Sequence, residues 1–162
     1  MAHVVNLKKF QKILKLEIPK IEEAIVKGIQ SSALRLEGMI IEEIENAKAV
    51  ATSELKGSVD TQMIPKGAIT GPDAPHAPFV EFGTRPHFPP LQPIIDWVKI
   101  KGISSDDDEA IEIARRIVKA IGRKGTEPRR PVGNAFDRLK ADKIVEEEIH
   151  DELVEVERRI PR

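Results

Sequence analysis

The first third of the chain repeats apolar residues at helical spacing from residue 6 to residue 56. These side chains recur every three or four positions, which places them on one face of a helix, with Glu and Lys on the other. The apolar stripe comprises Leu7, Phe10, Ile13, Leu14, Ile21, Ile25, Ile29, Leu36, Ile40, Ile44, Ala47, Ala51 and Leu55. Residues 1–56 are therefore predicted to form a helical N-terminal part.

The length of this segment limits how it can fold. A straight helix from residue 20 to residue 55 would span about 54 Å, whereas a compact domain of this size has a radius of gyration of roughly 15 Å. Pro19 has no backbone N–H, so it either starts a second helix or kinks a continuous one. Three arrangements are open: a break at Gly28 or Gly38, a protruding helix that packs on a neighbouring subunit, or two ordinary helices of an α+β domain.

After Gly57 the apolar spacing becomes alternating, which is typical of strands. GSVDTQMIP places β-branched or apolar side chains on one side, namely Val59, Thr61 and Met63. GAIT is a second short strand candidate, and GPDAP is a turn-rich connection to a third, PFVEFG. Eight of the twelve prolines lie between residues 65 and 93, and proline is confined to the edges of sheets and to loops. Residues 57–92 are predicted to form a small antiparallel sheet with rigid loops.

Residues 93–160 are predicted to be helical. PIIDWVKIKG forms a short helix, with Pro93 in its first turn and Gly102 in the left-handed position after its end. In SSDDDEAIEIARRIVKAIGRKG, Ser105 and Asp108 form a capping box, and the acidic run lies at the positive end of the helix. Its buried stripe comprises Ala110, Ile113 or Ala114, Ile117 and Ile121.

A final helix is predicted from residue 135 toward residue 160, with an acidic outer face. The predicted fold class is thus α+β: a long N-terminal helix or helix pair, a small antiparallel sheet, and two further amphipathic helices packed on it. At 162 residues the chain has the length of a single domain.

Composition excludes several classes of protein. Charged residues make up 33% of the chain, but the formal net charge is −1, so no global charge favours nucleic acid or a lipid surface. Cysteine is absent, which excludes disulfides and cysteine chemistry. No apolar run approaches the roughly 20 residues that span a bilayer, and the N-terminus lacks the apolar core of a signal peptide. We expect a protein made in the cytoplasm, with no membrane partner.

The residues that could carry chemistry do not form a recognised set. His76 and His87, with Asp73 and Glu81 nearby, allow a metal site to be drawn, but their spacing matches no common ligand pattern. GTRP and GTEP lack the glycine and lysine pattern of phosphate-binding loops, and no G-x-S-x-G elbow is present. We therefore predict that the protein is not an enzyme and uses no cofactor or metal.

A basic segment between residues 115 and 130 supplies an alternative hypothesis. It contains Arg115, Arg116, Lys119, Arg123, Lys124, Arg129 and Arg130. Such a segment could neutralise several phosphates of a nucleic acid without reading its sequence. The spacing of four between Arg115, Lys119 and Arg123 is also that of a solvated helix face, and no aromatic residue interleaves them as a stacking platform.

The segment PHAPFVEFGTRPHFPP, residues 75–90, concentrates rings and prolines in a chain with few aromatic residues. Together with its surroundings it resembles the bacteriophage tail-completion family, small neck proteins that are also described as minor tail or head–tail joining components of long-tailed phages. The similar motifs occur in order over about residues 52–140: TSELKGSV, APFVEFGTRPHFPP, IIDWVKIKG and AIEIARRIVKAIGRKGTEPRRPVGNAF. VEFGT is the most specific of them.

The resemblance implies a structural protein of the virion, assembled in the host cytoplasm, that completes the tail and joins it to the filled head. It implies other tail and neck proteins as partners, and a homo-oligomeric ring. The signature or partner-interface residues it singles out are Phe79, Glu81, Phe82, Gly83, Thr84, Arg85, Pro86, Phe88, Trp97, Gly125, Thr126 and Pro128.

In that interpretation Val80 and Phe82 face the core, whereas Phe79, Phe88 and the GTRP turn lie at the surface. Exposed aromatic residues and arginine are the usual anchors of protein interfaces. Gly83 would supply a backbone angle that other residues avoid. The ring-and-proline segment is therefore expected to be a rigid docking edge.

Overall fold

The computed structural model describes residues 7–47 and 53–159. Over these residues the chain forms seven helices and one two-stranded antiparallel sheet, which confirms the predicted α+β class. The elements are α1 (Leu7–Asn46), α2 (Glu54–Gly57), β1 (Val59–Ile64), β2 (Gly67–Pro72), α3 (Ala77–Phe82), α4 (Leu91–Ile100), α5 (Asp107–Lys124), α6 (Pro131–Ala141) and α7 (Ile144–Arg158).

The N-terminal helix α1 is one continuous element. It runs through Pro19, Gly28 and Gly38, so two of the three open arrangements, a break at one of the glycines and a pair of separate helices, are not found. An interior proline removes one hydrogen bond of the helix and crowds the carbonyl group four residues earlier, yet the helix continues on both sides of Pro19. The helix also ends earlier than predicted, at Asn46, and α2 is separate. The extension of the stripe through Ala51 lies outside the described residues.

The first two predicted strands are confirmed, and β1 and β2 pair in a hairpin. Its turn is fixed by Gln30 of α1, whose side-chain amide donates to the carbonyl oxygens of Ile64 at 3.2 Å and Gly67 at 3.3 Å. Within the hairpin the hydroxyls of Thr61 and Thr70 lie 3.1 Å apart. One polar side chain therefore satisfies two turn carbonyls and attaches the hairpin to α1.

The third predicted strand, PFVEFG, is wrong, because these residues form helix α3. Alternation over four residues does not distinguish a strand from one turn of helix. Pro78 stands in the first turn, where its missing N–H is not needed. The face assignment made from alternation fails with it, since residues three apart share a helix face.

Helices α4 and α5 pack against each other around Ile95, Val98, Ala110 and Ala114, all buried. The predicted stripe of α5 is confirmed at both alanines, while Ile113 and Ile117 lie partly buried beside them. Alanines on α5 allow a close approach to α4, which explains why small side chains sit at the centre of this core.

The predicted positive backbone angle at Gly102 is also confirmed, at φ +65°. The predicted capping box is wrong by one residue. Asp106, not Ser105, accepts the hydrogen bond from the backbone N–H of Glu109, at 2.8 Å. A carboxylate is a stronger acceptor than a hydroxyl, and Ser104 instead donates to the Glu109 carboxylate at 2.6 Å.

The predicted final helix is two helices, α6 and α7, and it begins at Pro131 rather than at Ala135. Lys143 lies between them with a left-handed φ of +55°, which a continuing helix does not allow. The break lets α7 lie along α1, with Arg35 bound to Glu147 at 3.3 Å and to Glu148 at 2.9 Å. The predicted end near residue 160 lies outside the described residues.

A glycine sets the approach of α7 to α1. A Cβ at Gly28 would lie 2.6 Å from the Cα of Ile149, so another side chain would not fit between the two backbones. Ala24 and Ser32, one turn to either side, are buried as well. Small residues at spacings of four thus form the groove that α7 occupies.

The chain divides into two compact units. The first contains the described parts of Met1–Gly38 and Phe136–Arg162, together with Thr61–Thr70. The second contains Gly71–Ala135 and the described part of Met39–Asp60, and includes the α4–α5 core. No helix of the described residues is long and apolar enough to cross a membrane.

Candidate partner-docking site

The two Gly-Thr-x-Pro segments of the chain pair with each other in the second unit. Thr84 and Thr126 form an antiparallel bridge, with N–H to O distances of 3.0 Å and 3.2 Å. Their hydroxyls lie 3.0 Å apart, and the N–H of Thr126 also donates to the Thr84 hydroxyl at 3.1 Å. We call residues 83–87 and 125–129 the Gly-Thr pair. The N–H group of each threonine donates to the carbonyl oxygen of the other, so neither is free to bind a phosphate.

The glycines of the Gly-Thr pair have equivalent positions. Gly83 ends α3 and Gly125 ends α5, with φ of +70° and +75°. A Cβ at Gly83 would lie 2.3 Å from the Thr126 carbonyl oxygen, and one at Gly125 would lie 1.9 Å from that of Thr84. Both positions therefore require glycine for its backbone angle and for its size, as was expected of Gly83.

Beyond its threonine, each segment forms a hydrogen bond with the helix that leads into the other segment. The N–H of His87 donates to the carbonyl of Ile121 in α5 at 3.4 Å, and the N–H of Arg129 donates to Val80 in α3 at 2.9 Å. The nitrogen of Pro128 lies 2.9 Å from the Cβ position of Gly83. Hydrogen bonds at both ends therefore hold α3 to the end of α5.

Glu81 caps helix α6. Its carboxylate oxygens accept hydrogen bonds from the backbone N–H groups of Val132 at 2.9 Å and Gly133 at 3.0 Å. These are two of the N–H groups that a helix leaves unpaired at its start, where a negative charge is also favoured by the helix dipole. Glu81 is therefore a structural residue that fixes α6 to α3.

Three phenylalanines project from this frame into solvent. Phe79, Phe82 and Phe88 are 59%, 77% and 74% exposed. The expectation that Phe82 faces the core is wrong, since in helix α3 it shares an exposed face with Phe79, three residues away. Val80 is half-buried. Exposed phenylalanine side chains forgo the favourable free energy of burial, so three of them within residues 79–88 indicate a contact surface.

We call Phe79, Phe82, Phe88, Arg85 and Pro86 the aromatic corner. Arg85 and Pro86 are exposed, as expected for the GTRP turn. Phe88 rests on the backbone of α5, because a Cβ at Gly122 would lie 2.3 Å from its ring. The ring is therefore placed by the helix beneath it while most of its surface is left open.

Two open clefts adjoin the aromatic corner. One, of about 370 Å³, lies along the GTRP turn and Phe79. The other, of about 470 Å³, is lined by residues that include His76, Phe79, His87 and Trp97. Trp97 is half-buried and packs against the α4–α5 core. It forms the wall of a cleft and does not project with the phenylalanines.

The histidines do not assemble a metal site in the described residues. His76 and His87 line the same cleft, but no group of three or more His, Cys, Asp or Glu residues there could hold a metal ion. The Nδ1 atom of His87 lies 2.9 Å from the carbonyl oxygen of Arg85, within its own turn. His3 lies outside the described residues.

The structure therefore divides the signature residues other than Trp97, which lines a cleft, into two groups. A frame is built by Glu81, Gly83, Thr84, Gly125, Thr126 and Pro128, and the exposed residues beside it are Phe79, Phe82, Arg85, Pro86 and Phe88. The sequence did not predict that Phe88 packs on Gly122 or that the two loops pair. The repeated Gly-Thr-x-Pro tetrapeptide was the signal that could have predicted that pairing.

Comparisons of this chain with protein-family models, with curated proteins and with solved structures found no match.

Proposed function

We propose that this protein is a structural component of a bacteriophage virion, which completes the tail and mediates the joining of tail to head through protein–protein contacts. In this role it works as a homo-oligomeric ring that binds other tail and neck proteins. It is made in the host cytoplasm and ends in the virion, at the tail or neck. It catalyses no reaction, uses no cofactor, and recognises no specific nucleic-acid sequence.

The observation that carries the proposal is the aromatic corner. Three phenylalanines more than half exposed stand on one hydrogen-bonded frame. A preorganised frame lowers the entropy lost when a partner binds, and aromatic residues with a neighbouring arginine are typical anchors of an interface. The resemblance of VEFGT and the surrounding motifs to tail-completion proteins supplies the identity of the partners.

A complementation experiment tests the proposal. A phage that lacks this gene is supplied with the Phe88→Ser/Arg85→Ala double variant or with Phe82→Ser/Arg85→Ala, which leaves the contact of Phe88 with Gly122 intact. We expect folded proteins, separate heads and tails in electron micrographs, and a loss of infectious particles. Ile69→Ser is the control, since Ile69 is 61% exposed in β2. Unchanged phage yield from both double variants would show that the corner does not dock a partner.

The exposed basic face of α5 supports a second candidate function, nucleic-acid binding as an accessory protein. Arg115, Lys119 and Arg123 are exposed, and none forms an ion pair with another described residue. Arg116 is paired with Glu112. Retention of DNA at about 150 mM salt, with a steep decrease at higher salt, would favour this function over partner docking. Arg115→Gln/Lys119→Gln/Arg123→Gln would then abolish the retention.

A further inference from the structure

An apolar face of α1 is open to solvent near the N-terminal end of the helix. Ile18, Ile21 and Ile25 are 48%, 40% and 37% exposed. Their spacings of three and four residues are those of positions a and d in a heptad, which form the seam between paired helices. The next two positions of the same register, Gly28 and Ser32, are buried, and Gly28 lies against α7.

Two opposite charges flank this seam. With Ile18 at position a and Ile21 at position d, Lys15 and Glu22 both occupy position e. Both side chains are exposed, and neither forms an ion pair with any described residue. Charges at positions e and g select the partner of a helix and its orientation.

We propose that this seam binds the same seam of a second copy of the chain, with the two α1 helices antiparallel. Ile18 then packs on Ile21 of the second copy, and Ile21 packs on its Ile18. In this register Lys15 lies within about 3 Å, measured along the helix axis, of Glu22 of the second copy. The two-fold axis repeats the pair, so the seam carries two ion pairs between the copies.

Charge disfavours the parallel alternative. Parallel helices bring position g of one copy beside position e of the next heptad in the other. Here those positions are Glu17 and Glu22, which would face each other twice. Glu17 forms an ion pair with Lys20 of its own helix at 3.1 Å. In the parallel arrangement, however, its carboxylate would still face the carboxylate of Glu22 in the other copy. Antiparallel pairing replaces these like charges with opposite ones.

This contact is isologous, so it closes at two copies and does not require a ring. It does not rest on the proposed function, because it concerns α1 alone and is measured without any phage component. The aromatic corner lies in the second compact unit, so variants in the seam leave its residues unchanged.

Sedimentation equilibrium of the full chain over a range of concentrations tests the pairing. We expect a monomer–dimer equilibrium for the natural sequence and a monomer for Ile21→Glu. Lys15→Glu and Glu22→Lys should each raise the dissociation constant about tenfold, because two ion pairs become two like-charge pairs. The double reversal Lys15→Glu/Glu22→Lys should restore the original value. Circular dichroism verifies that each variant is folded.

Three results would overturn the proposal. A natural chain that stays monomeric at all concentrations would show that the seam does not bind a second copy. A tighter dimer for Glu22→Lys would indicate parallel pairing. A dimer that is insensitive to Ile21→Glu would place the contact between copies elsewhere on the molecule.

Discussion

Thr84 and Thr126, which stand 42 positions apart in the sequence, donate backbone hydrogen bonds to each other's carbonyl oxygens. The bridge joins the segment after α3 to the segment after α5, and each segment begins with a glycine of positive φ. The frame of the aromatic corner therefore depends on a few main-chain contacts between loops. Substitutions that disturb these contacts should affect stability more than their exposure suggests.

Gly125→Ala tests the close approach in the Gly-Thr pair. Gly102 is the control for a positive φ alone, because no atom lies within 4 Å of its Cβ position, whereas Gly125 also has a ψ of −158° that only glycine readily adopts at positive φ. Gly102→Ala should cost about 1–2 kcal/mol of unfolding free energy from backbone strain. Gly125→Ala should cost at least about 3 kcal/mol, since its Cβ also overlaps the Thr84 carbonyl oxygen. Urea denaturation measures both, and equal losses would contradict the steric explanation.

Glu81→Gln tests the cap of α6. Glutamine keeps one acceptor oxygen but sets an NH₂ group against the second backbone N–H, so we expect a loss of about 1–2 kcal/mol. Glu157→Gln on exposed α7 is the control, with an expected change within about 0.5 kcal/mol. Hydrogen exchange at the N–H groups of Val132 and Gly133 should accelerate in the first variant. Unaltered protection there would show that Glu81 does not cap α6.

Gly28→Ala tests the packing of α7 on α1. Alanine favours a helix over glycine by about 1 kcal/mol, but its Cβ would overlap the backbone of Ile149. We expect a net destabilisation of about 1–2 kcal/mol from overpacking. Gly38→Ala in the same helix, where nothing lies within 4 Å, should instead stabilise the protein. Thermal unfolding compares the two, and stabilisation by both would contradict the observed approach of α7.

The ion pair between Lys99 of α4 and Asp107 of α5 predicts a pH dependence. A hydrogen bond from Lys99, and then its charge, lower the pKa of Asp107 below 3.8. A hydrogen bond to Asp107 raises the pKa of Lys99 above 10.5. The contribution of Asp107 to the free energy of unfolding is thus present above its ordinary pKa and lost as the pH falls through the lowered value. The contribution of Lys99 is present below 10.5 and lost as the pH rises through the raised value.

An NMR titration of the Asp107 carboxyl carbon tests whether its pKa is lowered by Lys99. In Lys99→Met the pKa of Asp107 should rise toward 3.8, its ordinary value. Lys119→Met removes the same charge from an exposed position of α5, and it should leave that pKa unchanged. An equal effect of both variants would mean that overall charge, not the pairing with Lys99, sets the pKa.

Local patterns predicted much of the fold. The helix α1, the strands β1 and β2, and the buried alanines of α5 are each confirmed. Gly102 was placed correctly after α4 for the same reason, since the left-handed position follows from its immediate neighbours. Such features depend on contacts between residues a few positions apart, so the sequence alone contains the information that determines them.

The candidate site was predicted only in part. The sequence located the segment and placed Phe79, Phe88 and Arg85 at the surface, but it assigned PFVEFG to a strand and Phe82 to the core. Four alternating residues are compatible with both a strand and a helix. As a result, Phe82 was assigned to the buried side, although it is the most exposed of the three phenylalanines.

The amino-acid sequence by itself determined that α1, α4, α5 and the strands β1 and β2 form, because side-chain spacing along the chain decides which faces are apolar. Only the tertiary structure decided what Glu81 binds, where Phe82 points, and that two similar tetrapeptides pair. Glu81 finds its N–H partners 51 and 52 positions away. A hydrogen-bonding group must be satisfied by whatever the folded chain brings near it, and no local pattern specifies that neighbour.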